Sequence, residues 1–418
     1  MKPSAVGVKG MYADSIPSTS YLTHGFDSYP AKMIPHMARF LIEEVTMPGD
    51  VVLDPFCGSG AVLIEASVAG RRAVGIDLNP LAVLYARAKL SPLDPRELSA
   101  QLAQLCTRFG ACNNPFELRF PNADYWFTCA TLRKLGVIRR VLCELEDEWH
   151  ADAIEFWRAV LAAVVRDCSR ADPRSPKPFI SKRAREKRVG RHFDPFRYFE
   201  RKGASHIAAL GALHSIIAPI AGQVKRPQVL HGDSRDIAAL VDGTGFDAVV
   251  TSPPYLSAQD YYRSSKLELL VLGLSSPEEL RQLSREFVGS DRITTTAELL
   301  DSRLTSPIAN NTLQRLARQD RKRACVFAKC IRDTQMVLHG LFAALRADGR
   351  CAIVTGENLV CGLRIRMPAI VKEQAESVGF TYERCFSDRI RDRWVPTVRN
   401  GHRGVIDEEH MLLFRRPE

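Results

Sequence analysis

Two short stretches of the chain combine residue types that could do chemistry. In Asp54-Pro55-Phe56-Cys57-Gly58-Ser59-Gly60, two glycines remove side chains where a backbone must turn sharply and approach a ligand. A helix following such a turn would present free N–H groups. Asp77 closes the next apolar run, 17 residues beyond Gly60, a position suited to accepting hydrogen bonds from ribose hydroxyls. This pattern is generic for nucleoside cofactors, and by itself it also fits a reactive cysteine at Cys57 or a plain tight corner. The phosphate-binding signatures are missing, both the lysine-containing loop and the third glycine of a dinucleotide fingerprint. Asp54 ahead of the turn disfavours a phosphate and suits a cationic or amine-bearing ligand.

The second stretch is Ser252-Pro253-Pro254-Tyr255, which closes the apolar run Phe246–Thr251. Two prolines fix the backbone, so the Pro253 carbonyl stands out as a rigid acceptor. Ser252 sets a side-chain oxygen beside it, and Tyr255 offers an aromatic face. Two acceptors and a stacking ring would grip a planar amine, such as the exocyclic amino group of a base.

These stretches need elements to hold them. Helix-spaced apolar positions run over residues 31–45, after a polar, turn-rich segment 1–30 that reads as irregular. Residues 51–56 read as a buried strand, 61–70 as a helix, 72–80 as a second strand ending near Asp77, and 81–90 as another helix. This alternation marks a parallel sheet covered by helices. Helical patterns dominate 91–225, after which strand-like runs resume around 227–236, 246–255, 349–358, 381–386 and 410–416. A second interruption at 276–320 separates the proline motif from a long helical pattern. The expected organisation is therefore an α/β catalytic domain over 1–90, 226–275 and 321–418, with a largely helical insertion at 91–225 and a smaller one at 276–320.

Composition is that of a globular protein, with 45% hydrophobic and 25% charged residues, and no run of about 18 apolar residues is evident. The first residues lack the apolar stretch of a secretory signal, so a cytoplasmic protein without a membrane span is expected. Eleven cysteines at irregular spacing argue against a disulfide framework and against a metal site. The net charge of +10 favours a polyanionic partner, although only 14 of the 58 basic residues are lysines and a coding bias toward arginine would have the same effect. Residues 181–202 concentrate nine basic side chains with three acidic ones and four aromatics. As a solvated face this run needs no function. As a nucleic-acid element, Arg183, Arg185, Lys187, Arg188 and Arg191 would meet phosphates, and His192, Phe193, Phe196 or Tyr198 would stack or wedge.

Together the two motifs resemble the S-adenosylmethionine-dependent amino-methyltransferases of nucleic acids, chiefly the N4-cytosine and N6-adenine DNA methyltransferases. Residues 26–44 are similar to the family's N-terminal cofactor motif, and Val229–Ile237 resembles the segment whose acid contacts the cofactor adenine. The resemblance implies a doubly wound, Rossmann-like fold with a seven-stranded, mostly parallel sheet. It implies that Asp54, Pro55, Phe56, Gly58, Ser59 and Gly60 cradle the methionine and ribose, with Tyr29 and Lys32 closing over the methionine end. Asp77 and Leu78 would hold the ribose, and Asp233 and Ser234 the adenine. Ser252, Pro253, Pro254 and Tyr255 would form the catalytic turn, with Tyr261 and Arg263 lining the target pocket.

The implied reaction is direct in-line transfer of a methyl group to cytosine N4 in DNA, after the target base has been flipped out of the duplex. Serine at the first position of the turn is commoner among cytosine-N4 enzymes, whereas aspartate there usually accompanies adenine methylation. No covalent intermediate is needed, which leaves Cys57 as a packing residue. A restriction endonuclease of the same system is the protein partner that the resemblance implies. Alternative readings are N6-adenine methylation of DNA, guanine-N2 methylation of RNA, and a catalytically silent nucleic-acid binder.

Overall fold

The computed structural model describes residues 4–175, 177–188, 191, 193–220, 225–241, 245–256, 261–293, 295–301, 303–390 and 406–418. Among these residues its spine is a sheet of eight strands: β1 (Ser4–Ala5), β2 (Val51–Asp54), β3 (Arg72–Asp77), β4 (Gln228–His231), β5 (Phe246–Thr251), β6 (Leu345–Gly356), β9 (Thr381–Arg389) and β10 (Glu408–Arg415). Two further strands, β7 (Asn358–Val360) and β8 (Leu363–Ile365), form a separate hairpin. The main sheet runs in the order β1-β9-β10-β6-β5-β2-β3-β4. Strands β4, β3, β2, β5 and β6 are parallel, and β10 lies antiparallel between β6 and β9. The core strands are apolar on both faces because helices cover both sides, as parallel sheets require.

The strand order reverses direction between β2 and β5. Connections from β2 lead outward to β3 and β4, while β5 and β6 extend the other way. Such a reversal opens a crevice at the carboxyl ends of the two strands, where open α/β sheets bind ligands.

Within the segment expected to be irregular, residues 4–30 are more ordered than their polar composition suggests. Strand β1 adds a parallel eighth strand at the β9 edge, Val8–Met11 is a short helix, and Leu22–Phe26 is a 3-10 helix. Backbone pairing to an existing sheet edge supplies the order that local sequence does not.

The helical segment expected at 91–225 contains Pro95–Ala111, Cys129–Glu144, Ala151–Cys168, Lys182–Arg188 and Pro195–Ile217. Its interior is continuous with the catalytic core. Leu81, Leu84 and Tyr85 of the helix Pro80–Lys89 share one apolar cluster with Phe156, Trp157 and Phe199 of the insertion. Phe26 stacks on His206 with ring centroids 4.0 Å apart, which docks the N-terminal segment against the insertion. Among the described residues, Pro195–Ile220 is long and apolar enough by composition to cross a membrane. Here Phe199, His206, Leu210 and Leu213 on that stretch are buried against other helices.

The glycine turn depends on one close approach in β3. A Cβ on Gly75 would lie 2.8 Å from the Cys57 Cβ and 2.7 Å from the Leu63 side chain. Gly75→Ala should therefore destabilise the protein by about 1–3 kcal/mol through overpacking, read as a lowered midpoint in denaturant unfolding. A midpoint equal to wild type would show that this approach has room to relax.

Candidate active site

The cofactor-type turn lies immediately after β2. Gly58 (φ 51°) and Gly60 (φ 88°) both occupy the left-handed region that a side chain disfavours. Gly60 is the N-cap of the helix Ala61–Val68, and a Cβ there would sit 3.2 Å from Ala86. Cys57 is held in the same turn, its N–H donating to the Ile76 carbonyl at 3.0 Å. Burial, with Asp77 and Asp54 nearby, pushes its thiol far above the usual range, so it stays protonated.

A cleft of about 730 Å³ opens above this turn. It is lined by Tyr29, Lys32, Asp54, Phe56, Gly58, Ser59, Asp77, Leu78, Asp233 and Ser234, together with Ser252 and Pro254. The two motifs recognised separately in the sequence thus face one cavity. Pro55 contributes its carbonyl, which accepts from the Ser234 hydroxyl and ties β2 to the segment after β4. Gly60 shapes the turn from beneath, while Pro253 and Tyr255 face a second, mainly apolar cavity of about 530 Å³. Phe56, Pro254 and Val288 line both cavities.

Two buried carboxylates dominate the electrostatics. Asp54 accepts from the Thr251 hydroxyl at 2.7 Å and from the Phe56 N–H at 3.1 Å. Burial outweighs those hydrogen bonds and raises its pKa to about 7. Asp77 accepts from the Gly58 N–H at 2.9 Å and the Asn79 N–H at 2.8 Å, and burial raises it to about 6. Both acids therefore gain from a ligand that brings positive charge or hydroxyl donors. Asp233, partly exposed, is paired with Arg235, which also reaches Asp333 at 3.2 Å. A carboxylate has about four acceptor positions, so this pairing leaves capacity for an amino group.

Several residues that build the site carry no sequence signal. Lys89, fully buried, donates to the Ser59 carbonyl at 2.9 Å and its hydroxyl at 3.0 Å, and pairs with Asp27. Burial lowers the Lys89 pKa to about 8 despite that pairing. Burial works against Asp27 as well, yet Lys89 and Lys32 outweigh it and hold the carboxyl well below its usual range. Asp27 also accepts from the Tyr29 N–H at 2.7 Å, so one ionic knot joins the N-terminal segment to the cofactor turn. Asn79 donates to the Tyr29 hydroxyl at 3.0 Å and to Ser265 at 3.2 Å. Ala31, beside these residues on the cleft wall, sits at φ 54°, a strained value for a residue with a Cβ. The second insertion contributes Glu286, Phe287 and Val288 to the cleft lining.

The basic segment divides into two classes of side chain. Arg183, Arg185, Lys187 and Arg191 are exposed. Arg188 instead holds backbone, its guanidinium donating to the Ser169 carbonyl at 2.7 and 3.1 Å and to the Asp167 carbonyl at 2.5 Å. Phe193 lies under that guanidinium, Phe196 stacks on Phe109, and Phe199 is buried against Trp157. His192 and the side chain of Tyr261 lie outside the described residues, and Arg263 is exposed on the helix Tyr261–Leu272. All eleven cysteines are free thiols, and among the described residues no cluster of three or more potential ligands could hold a metal ion.

A family model described as DNA methylase matches residues 7–87, the segment that contains Tyr29, the glycine turn and Asp77. This match and the relatives below support an amino-methyltransferase family for the chain. Over most of its length it is similar to Type II methyltransferase M.MvaI of Kocuria varians, 26% identical over 442 residues, covering 95% of this chain and 91% of that protein. It is 25% identical over 297 residues to Type II methyltransferase M.BsoBI of Geobacillus stearothermophilus, covering 62% of this chain and 55% of that one. A shorter match joins it to the tRNA (guanine(10)-N2)-dimethyltransferase of Methanothermobacter thermautotrophicus, 46% identical over 52 residues, or 12% of this chain and 16% of that one.

The cofactor of this amino-methyltransferase is S-adenosylmethionine. The cleft fits it chemically, since buried acids suit its ammonium, sulfonium and ribose hydroxyls, and the spare acceptor capacity of Asp233 suits its adenine amino group. Asp54 must be ionised to pair with a cationic ligand, so cofactor affinity should rise with pH up to about 7 and then level off. Below that point the loss approaches about tenfold per pH unit, with Asp77 extending it at lower pH. Titration calorimetry from pH 5.5 to 8.5 should show this slope, and Asp54→Asn should flatten its upper part. A wild-type affinity independent of pH would remove Asp54 from the binding site.

Proposed function

We propose that this amino-methyltransferase methylates the exocyclic N4 of cytosine in DNA at a short recognition sequence. The observation that carries the reading is the cleft shared by Ser252 and Pro254 with Asp54, Gly58 and Asp77. A target amine held at the serine-proline turn would therefore meet the cofactor end of the same cavity. The match to a family model described as DNA methylase and the near full-length similarity to a Type II methyltransferase support DNA as the substrate, and a restriction endonuclease of the same system is the proposed partner. Serine at position 252 favours cytosine over adenine.

S-adenosylmethionine supplies an electrophilic methyl group on a positively charged sulfur. The protein's task is orientation and charge stabilisation. Tyr29, Lys32 and the Asp54–Gly60 turn hold the methionine end, Asp77 and Leu78 the ribose, and Asp233 and Ser234 the adenine. At the catalytic turn, the Ser252 hydroxyl and the Pro253 carbonyl accept the N–H bonds of the target amine, which gain positive character during attack. Tyr255 stacks on the flipped base, and a base can reach it only by leaving the duplex at a cost of a few kcal/mol. The buried, protonated Cys57 takes no part.

The helical insertion is the proposed reader of DNA. Its helix Ala151–Cys168 packs directly on Tyr261–Leu272, the helix that follows the catalytic turn. Arg183, Arg185, Lys187 and Arg191 supply phosphate contacts, and Arg263 lies on the helix nearest the target pocket. Arg188 has a structural duty in holding the Ser169 carbonyl and is left out of the test set.

Incubation with labelled cofactor and unmethylated DNA or total RNA, followed by digestion to nucleosides, should yield labelled N4-methylcytosine from DNA alone. Labelled N6-methyladenine would overturn the cytosine assignment, labelled N2-methylguanine from RNA would overturn the substrate class, and no labelled base would favour a silent binder. Ser252→Ala should reduce turnover at least about a hundredfold while changing cofactor affinity little. Replacing Arg183, Arg185 and Lys187 with glutamine should weaken DNA binding and flatten its log–log salt dependence by about one unit for each phosphate no longer neutralised. An unchanged salt slope would make that run a solvated face.

A further inference from the structure

The catalytic tyrosine is held from a strand remote in sequence. The Tyr255 hydroxyl donates to Glu409 Oε1 at 3.0 Å, across 154 residues of chain. Glu409 is the second residue of β10 and pairs in register with Gly356 on β6 and Asp388 on β9, so its backbone is fixed on both sides. Its carboxyl is largely withdrawn from water. Burial pushes it above the usual range, the Tyr255 hydroxyl opposes that shift, and Asp388 adds to it. An acid retained at such a position, with a tyrosine hydroxyl stabilising its ionised form, needs a reason beyond packing.

The chain after Tyr255 is held from the same side. Asn358 of β7, itself buried, donates to the Leu256 carbonyl at 2.5 Å. Proline already limits the backbone ahead of Tyr255. What remains free is the rotation of its side chain, and a hydrogen bond at the phenolic end is the interaction that limits ring swing most.

We infer that Glu409 is a positioning residue that anchors the phenolic end of Tyr255 and so holds its ring in place for stacking on the target base. Glu409 lines neither cavity, and acts through the tyrosine hydroxyl. A charge-assisted O–H···O bond gives direction as well as strength, which a ring that must present one face to a flat partner requires. The inference rests on the proposed stacking role of Tyr255.

The test is a double-mutant cycle on the full chain, with labelled S-adenosylmethionine and unmethylated bacterial genomic DNA. Glu409→Ala should lower kcat/KM for DNA by about tenfold to a hundredfold, the range expected for one hydrogen bond to a charged group. Cofactor affinity without DNA should stay within about threefold of wild type. Glu409→Gln, which keeps an acceptor for the tyrosine hydroxyl, should recover most of the loss. Tyr255→Phe should resemble Glu409→Ala, and the double variant should be no worse than Tyr255→Phe alone. Multiplying effects in the double variant, or wild-type turnover of Glu409→Ala, would overturn the inference and leave the stacking role standing. Full turnover of Tyr255→Ala would overturn the stacking role and the inference with it. If Glu409→Ala fails to fold, as judged by circular dichroism, Glu409→Leu, which removes the acceptor but keeps the bulk, takes its place in the cycle and decides in the same way.

Discussion

The hydrogen bond from Thr251 to Asp54 joins the carboxyl ends of two strands that lie 197 residues apart in sequence. It exists because β5 pairs in parallel with β2, with Val52 opposite Ala248 and Leu53 opposite Val249. That register sets the glycine turn after β2 beside the proline turn after β5. A shift of one residue would turn every side chain of β5 to the other face of the sheet and separate the two turns. Cofactor chemistry and amine chemistry share a cavity because this pairing is in register.

Around that junction the protein tolerates ionic arrangements that would be costly elsewhere. Lys89 and Asp27 are both withdrawn from water, and their attraction offsets a desolvation penalty of several kcal/mol per ion only because each has further partners. Such a knot adds little net stability, but it restricts where Tyr29, Lys32 and Ser59 can sit. Among the described residues, no comparable lysine pairs with Asp54 or Asp77. Burial without such a partner raises the pKa of both acids.

The helical insertion and the second insertion act on the site in different ways. The first shares its apolar core with the helix Pro80–Lys89, so motion of the insertion would be felt at the helix that carries Lys89. The second brings Phe287 and Val288 to the cleft wall. The amino-methyltransferase chemistry belongs to the sheet, whereas the shape of the approach to it belongs to the insertions.

Much of the site was legible along the chain because its parts are local. A Gly-x-Gly turn after an apolar run, an acid at the next strand end, and Ser-Pro-Pro-Tyr each depend on neighbouring residues, and backbone stereochemistry writes them into short stretches. The sheet was equally legible, since buried parallel strands are short apolar runs separated by helical patterns. Lys89, Asp27, Glu409 and the Glu286–Val288 wall were not. Each has an ordinary local sequence, and its role comes from a neighbour tens to hundreds of residues away. The basic run marks the opposite limit: composition gathered Arg183, Arg185, Lys187 and Arg188 into one patch, and only folding separated the exposed three from Arg188, whose guanidinium satisfies buried carbonyls. Sequence alone thus determined which chemical groups this protein has and the turns that present them. Tertiary structure decided which of those groups meet, because strand pairing and burial, unlike a turn, are not properties of any short segment.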